Sequence, residues 1–149
     1  MNSDFKELLC IFNEAGVRYL VVGGQATILY TEPRFTKDYD VWVQPSEDNA
    51  GRVYRALARF GAPLAETAPQ EFAKPDVIFM MGVPPMRIDI ITSIDGVEFE
   101  DAWQRRNEVK FDDFCTWFLS REDLIRNKRA VGRRQDLIDA DLLEGKLEE

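Results

Sequence analysis

Residues 17–43 have the sequence VRYLVVGGQATILYTEPRFTKDYDVWV, and this stretch decides the fold. It opens with a largely apolar, β-branched run that ends at Gly23 and Gly24, which is typical of a strand entering a glycine turn. Residues 25–30 favour a short helix, which the following proline cannot continue. Strand character resumes over 35–43, where the side chains alternate with a period of two. The stretch therefore predicts a strand, a glycine turn, a short helix and a second strand.

Helices and strands continue to alternate along the rest of the chain. Residues 62–74 are less regular and predict a loop or a weak helix. The further predicted elements are an N-terminal helix before Gly16, a helix from Ser46 to about Phe60, a hairpin of strands at 77–81 and 87–92, a helix at 99–106, strand-like residues over 109–118 and a last helix over about 120–143. We expect one α+β domain over residues 1–149, in which helices, including the C-terminal one, pack on a mixed β-sheet.

The composition fits a folded domain outside the membrane. The chain has 149 residues, and 45% of them are hydrophobic, which is enough for a full core. No apolar run approaches the roughly 20 residues that span a bilayer. Acidic residues also stand near the N-terminus, where a signal peptide would be basic. We therefore expect a cytoplasmic protein with no membrane partner.

The residue types that are missing exclude several kinds of chemistry. The chain has no histidine, so Ser-His-Asp and Cys-His catalysis and the common zinc hydrolase and deaminase sites are excluded. Its two cysteines, Cys10 and Cys115, lack the spacing of a zinc site and predict buried thiols. Catalysis must then rest on carboxylates, Lys, Arg, Tyr or a metal.

The charge argues against a general nucleic-acid binder. The formal net charge is −8, whereas non-specific affinity for nucleic acid comes from Lys and Arg that neutralise phosphates. A local basic surface is still compatible with this total. A basic cluster near the C-terminus comprises Arg121, Arg126, Lys128, Arg129, Arg133 and Arg134.

Three aspartates are the candidate metal ligands. Asp38 and Asp40 are two apart in a predicted strand, so their side chains point to the same face. Asp89 is flanked by apolar residues in another predicted strand. Three acids on adjacent strands repel each other unless a cation compensates, and Mg²⁺ or Mn²⁺ prefers such oxygen ligands. The alternative is a solvated strand face or turn in which the acids are structural.

The glycine turn is the candidate phosphate site. Without side chains at Gly23 and Gly24, backbone N–H groups can approach phosphate oxygens at the start of the short helix. The same pair of glycines also suits a tight strand-to-helix connection with no ligand.

The order of these motifs resembles the polymerase-β-like nucleotidyltransferase superfamily, whose signature is a strand, a glycine turn, a short helix, Asp-x-Asp and a later third acid. Here these are Val21-Val22-Gly23-Gly24, Asp38-Tyr39-Asp40 and Asp89. The stretch from Arg34 to Asp40 is similar to small bacterial nucleotidyltransferases of the AbiEii toxin-like or DUF6036 type. The resemblance extends to residues 124–128 and 133–136.

The resemblance implies a transferase that moves a nucleoside monophosphate from ATP or another NTP to a hydroxyl on RNA such as tRNA, on a protein or on a small molecule. Asp38, Asp40 and Asp89 would be catalytic and would bind Mg²⁺ or Mn²⁺. A toxin–antitoxin context, with an antitoxin partner or self-association, also follows. The implied nucleotide-binding residues are Gly23, Gly24, Gln25, Thr36, Lys37 and Lys128. The competing hypothesis is a non-catalytic nucleotide-binding or interaction domain that retains the fold.

The last predicted helix bears on the role of Lys128. Positions 124, 128, 131, 135, 138 and 142 share one face of a continuous helix, and most of them are apolar. Lys128 and Gln135 interrupt this stripe, so both are expected to point toward the sheet. A carboxylate, such as Asp123 or Asp136, or a bound triphosphate could supply the counter-charge that an inward lysine needs.

Overall fold

The computed structural model of the protein describes residues 2–32, 36, 39–82, 87–111 and 113–146. The elements in chain order are α1 (Ser3–Glu14), β1 (Tyr19–Val22), α2 (Gly23–Tyr30), β2 (Tyr39–Val43), α3 (Glu47–Phe60), a 3₁₀ helix (Pro69–Ala73), β3 (Ile78–Met81), β4 (Ile88–Ile91), α4 (Phe99–Gln104), β5 (Asn107–Phe111), β6 (Phe114–Phe118), α5 (Arg121–Val131) and α6 (Arg134–Leu143).

The strands of the described ranges form one mixed sheet in the order β3-β4-β2-β1-β6-β5. β2 pairs with β4 in parallel and with β1 in antiparallel, and β3 and β4 form the predicted antiparallel hairpin. The predicted fold class, a mixed sheet with helices packed on it, is confirmed. Because of these directions, the end of β1 and the starts of β2 and β4 lie at one edge of the sheet.

One face of the sheet is covered by α1, α3 and the 3₁₀ helix. Phe5 of α1 packs on Tyr39 with ring centroids 5.0 Å apart, and Phe72 of the 3₁₀ helix packs on Phe79 of β3. Ser46 caps α3 by accepting a hydrogen bond from the Asn49 backbone N–H, as the sequence predicts. This face carries the larger part of the apolar core.

The opposite face is covered over β2, β1 and β6. Phe99 of α4 packs edge-on against Trp42 of β2, and Trp103 packs against Trp117 of β6. Ile78 and Met80 of β3 are exposed by contrast. Among the described residues, cover on this face is therefore confined to the half of the sheet away from β3.

The prediction of one helix over about 120–143 is wrong, because the segment forms two helices. Gly132 ends α5 in the left-handed conformation with φ +73, and its N–H donates to the Lys128 carbonyl. The interruption shifts the phase of α6. As a result Gln135 and Ile138, predicted to face the sheet, are exposed, whereas Asp136 and Asp139 are buried.

Within the described ranges, no helix is long and apolar enough to cross a membrane.

Candidate active site

Two of the predicted carboxylates lie side by side at the edge where β1 ends. Asp40 of β2 is the register partner of Asp89 of β4, and Val22, the last residue of β1, is its partner on the other side. Partners in neighbouring strands point to the same face and are about 4.8 Å apart. The carboxylates of Asp40 and Asp89 therefore share one face of the sheet.

The glycine turn lies directly against Asp40. Gly23 has φ +64, and a Cβ on it would approach the Asp40 carboxylate more closely than real Cβ atoms do. A Cβ on Gly24 would lie 2.5 Å from the hydroxyl oxygen of Thr36. Glycine at both positions allows the Asp40 carboxylate and the Thr36 hydroxyl to lie against the backbone of the turn.

The turn also starts a helix. α2 begins at Gly23, and the side chain of its N-cap residue, Val22, makes no capping hydrogen bond. The N–H groups of its first turn, which includes Gly24 and Gln25, have no carbonyl partner within the helix. Together with the helix dipole, they form an end that favours an anion.

Arg87 is a further site residue, for which the sequence predicted no role. Its Nε lies 3.2 Å from Asp89 Oδ1, and its Nη2 donates to Oδ2 at 3.3 Å. The Asp89 side chain is 15% exposed and that of Arg87 is 45% exposed. The available signal was their two-residue spacing on a strand, which places both side chains on one face.

The third predicted acid and its neighbour, Asp38 and Lys37, lie outside the described residues. Among the residues that are described, no group of three or more His, Cys, Asp or Glu is placed to hold a metal. Asp40 and Asp89 thus form a pair of oxygen donors, and the three-acid metal site stays a prediction.

Lys128 has its counter-charges within the protein. Its Nζ lies 3.6 Å from Asp136 Oδ1 and 3.5 Å from Asp139 Oδ2, and its side chain is 13% exposed. A hydrogen bond from Arg133, with the charge of Lys128, holds the pKa of Asp136 below its usual value. The sequence left two sources of this counter-charge open, a carboxylate or a bound triphosphate. The structure shows carboxylates beside Lys128. A nucleotide-binding role for Lys128 stays a prediction.

Much of the basic cluster is neutralised in the same way. Each of these residues forms an ion pair with a nearby acid: Arg126 with Asp123, Arg129 with Asp141 and Glu144, and Arg133 with Asp136. Ion pairs of this kind reduce the positive field that would attract phosphates.

The fold is similar to that of a solved structure of the lincosamide antibiotic adenylyltransferase LnuA with lincomycin bound. The TM-score is 0.57 at 15% identity, and the likeness covers 99% of this chain and 98% of that one. At this identity the likeness shows the fold alone. No curated protein sequence matches the chain.

A family model, DUF6036, described as a nucleotidyltransferase of unknown function, matches residues 3–148. This match covers nearly the whole chain and confirms the resemblance inferred from the glycine turn and the aspartates. The chain belongs to the DUF6036 family of nucleotidyltransferases.

Proposed function

We propose that the protein transfers a nucleoside monophosphate from an NTP to a hydroxyl acceptor with the help of a divalent metal. The observation that carries this proposal is the pairing of Asp40 with Asp89 in register, beside the N-terminus of α2. Carboxylates and an anion-binding helix end at one edge of a sheet are the two parts that a metal-nucleotide complex requires.

The donor set suits Mg²⁺ or Mn²⁺. Two carboxylates on adjacent strands repel each other, and both are hard oxygen ligands. Asp38, the other acid of the Asp-x-Asp sequence, would add a third. When bound, such an ion would neutralise charge on the phosphates and lower the pKa of the acceptor hydroxyl.

The residues around this pair have separate tasks in the proposed reaction. The N–H groups of Gly24 and Gln25 bind the phosphate oxygens, with help from the Thr36 hydroxyl and Lys37. The acceptor oxygen bonds to the α-phosphorus, and the bond from that phosphorus to the bridging oxygen breaks, so that pyrophosphate leaves. A carboxylate oxygen of Asp89 favours removal of the hydroxyl proton.

Arg87 serves this scheme as a counter-ion that can be displaced. It pairs with Asp89, and its side chain is half-exposed. In the proposed complex its guanidinium turns to the leaving pyrophosphate, whose developing charge it stabilises.

The acceptor that we favour is a small molecule. A structural neighbour is an adenylyltransferase for a lincosamide antibiotic. The net charge of −8 and the paired basic cluster also argue against RNA. A cytoplasmic toxin that modifies tRNA or a protein, with an antitoxin partner, is the second version of this proposal and follows from the family resemblance.

The test is transfer of label from each NTP, with Mg²⁺ or Mn²⁺, to total RNA, to protein and to a panel of hydroxylated small molecules. We expect release of pyrophosphate that falls at least about 100-fold in Asp40→Asn. Asp48→Asn, an exposed acid on α3 with the same change of charge, should retain the activity.

Equal transfer by Asp40→Asn and the wild type would refute the catalytic proposal. Calorimetry with Mg·ATP addresses the competing hypothesis. Tight binding without release of pyrophosphate would identify a non-catalytic nucleotide-binding domain.

A further inference from the structure

The face that carries Asp40 and Asp89 continues as an exposed apolar strip on β3. Met80 is the register partner of Asp89, and Ile78 is the partner of Ile91. Both side chains of β3 therefore point to the carboxylate face, where Met80 is 58% and Ile78 is 62% exposed. Two large apolar side chains in water beside a candidate reaction centre suggest a ligand that covers them.

The strip leads from the carboxylates to a cleft. Following the strands away from Asp40 and Asp89, the same alternation passes Ile91 and Ile78 and then reaches Gln44, Ser93 and Asp76. These last three residues line a cleft of about 540 Å³ under the start of α4. The strand rise places Gln44 about 13 Å from Asp40. This distance and volume suit a small organic molecule.

The cleft is acidic, and one residue of its wall carries a buried donor. Its carboxylates come from Asp76, Glu98 and Glu100, and its described lining includes no Arg or Lys. Trp42, only 2% exposed, forms part of the wall, and its indole Nε1 has no hydrogen-bond partner among the described residues. A buried donor in this state is costly unless a ligand or water accepts from it.

We propose that this strip and cleft bind the acceptor, and that the acceptor is a small hydroxylated organic cation with an apolar body. The inference rests on the proposed function for the identity of the reacting hydroxyl. The apolar body lies on Met80 and Ile78, the cationic end lies among the acids of the cleft, and the hydroxyl reaches Asp40 and Asp89. An RNA end fits poorly here, since its phosphates would face carboxylates.

The test compares three small probes by NMR on the intact protein. Phenylserinol has an amine, hydroxyls and a phenyl ring; N-acetylphenylserinol lacks the positive charge, and serinol lacks the ring. We expect phenylserinol to shift the Trp42 indole N–H and Ile78 methyl signals and to bind roughly tenfold more tightly than the other two. Equal binding of the acetylated probe, or no shift of these signals, would overturn the proposal.

Two variants test whether the cleft holds the positive charge of phenylserinol. Glu98→Gln should weaken phenylserinol about fivefold and leave N-acetylphenylserinol unchanged. Glu66→Gln, an exposed acid in a distant loop, makes the same change of charge and should alter neither. If both variants weaken phenylserinol equally, the cleft does not hold the cation and the proposal fails.

The same samples test two other occupants of the strip, and finding either of them there would overturn the proposal. Sedimentation that shows a dimer, dissociated by Ile78→Lys, would assign the exposed edge strand to a second copy. Total RNA that shifts the Ile78 signal would assign it to nucleic acid. Binding of Mg·ATP, measured alongside, separates the two proposals: probe binding that fails while Mg·ATP binds overturns only the acceptor site.

Discussion

At the scale of the residue, Gly23 meets two demands at once. Its φ of +64 is costly for any residue with a Cβ, and a Cβ would collide with the Asp40 carboxylate. Gly16 meets only the first demand, since its φ is +71 and a Cβ there would have nothing within 4 Å. Comparing substitutions at the two glycines therefore separates the cost of backbone strain from the effect of moving the Asp40 carboxylate.

We predict that Gly23→Ala and Gly16→Ala each lose about 1 kcal/mol of unfolding free energy from strain. Gly23→Ala should in addition lower kcat/KM for nucleotidyl transfer by about 100-fold, because a shift of the carboxylate by about 1 Å is enough for such a loss. Urea unfolding and steady-state kinetics measure the two effects. Full activity in Gly23→Ala would show that Asp40 need not lie against the turn.

Asp123 shows how a fully buried acid is held in this fold. Its carboxylate accepts hydrogen bonds from Arg105 at 2.8 Å and from Arg126 at 2.6 Å. Burial by itself raises the pKa of Asp123, but the two guanidinium groups outweigh it and hold the pKa below its usual value. The group ties the end of α4 to α5.

We predict that Asp123→Asn loses about 2 kcal/mol at neutral pH, toward the low end for a buried pair because both arginines are half-exposed. A depressed pKa in the folded state gives stability that is present above the unfolded pKa of about 4 and is lost as pH falls through the lower, folded value. The difference from the wild type should therefore shrink in unfolding measured at pH 4 and below. A constant difference across pH, or an equal loss in the exposed Glu122→Gln, would contradict this account.

At the scale of the element, the sequence predicts local structure well and fails where the phase of a helix is concerned. The glycine turn, the Ser46 cap and the β3-β4 hairpin follow from residues a few positions apart. The apolar period over 124–142 predicted one helix, although Gly132 is a helix stop signal of the same kind as Gly61, which ends α3 in the left-handed conformation. The partners of Lys128 were only partly foreseen, because Asp139 reaches it only when α6 restarts with a new phase.

The candidate site depends on pairings that are distant in the chain. That Asp40 and Asp89 point to one face follows from alternation within each strand, but their register follows from the parallel pairing of β2 with β4. No local pattern fixes which residues of two parallel strands face each other.

The turn before α4 depends on a close fit to α5. Gly96 has φ +81, and a Cβ on it would lie 2.7 Å from the Ala130 Cβ and 3.2 Å from the Arg126 carbonyl oxygen. The Asn127 side chain also donates to the Asp95 carbonyl. Since Ile94 and Val97 of this turn line the acidic cleft, its position on α5 shapes the cleft.

We predict that Gly96→Ala loses about 2–4 kcal/mol, the sum of backbone strain and overpacking. Gly132→Ala, at φ +73 with its nearest contact at 3.5 Å, should lose only about 1 kcal/mol. Urea unfolding of the pair measures the difference. Equal losses would mean that the turn does not pack on α5 as closely as the structure has it.

Substitution of Lys128 distinguishes a role in stability from a role in nucleotide binding. Lys128→Met leaves two buried carboxylates, Asp136 and Asp139, without its charge, and we predict a loss of about 2–3 kcal/mol. The Kd for Mg·ATP should change less than about twofold if the carboxylates are its main partners. An unchanged stability with a large rise in Kd would instead assign Lys128 to the nucleotide site.

At the scale of the whole molecule, the proposed site connects parts that only the folded chain brings together. The turn after β1, the start of β2 and the start of β4 are separated in sequence but meet at one edge of the sheet. A ligand bound there interacts with the folded state and not with the unfolded chain. Its binding therefore stabilises the fold by mass action.

We predict that Mg·ATP at about 100 times its Kd adds about 2.7 kcal/mol to the unfolding free energy, or roughly 5 to 10 °C in Tm. A chelator should remove most of the gain, because two neighbouring carboxylates repel a nucleotide that carries no cation. Asp40→Asn should show no gain, whereas the exposed Asp48→Asn should match the wild type. Thermal unfolding with ATP alone, with Mg²⁺ alone and with both distinguishes these cases, and a gain that persists in Asp40→Asn would place the nucleotide away from the edge where β1, β2 and β4 meet.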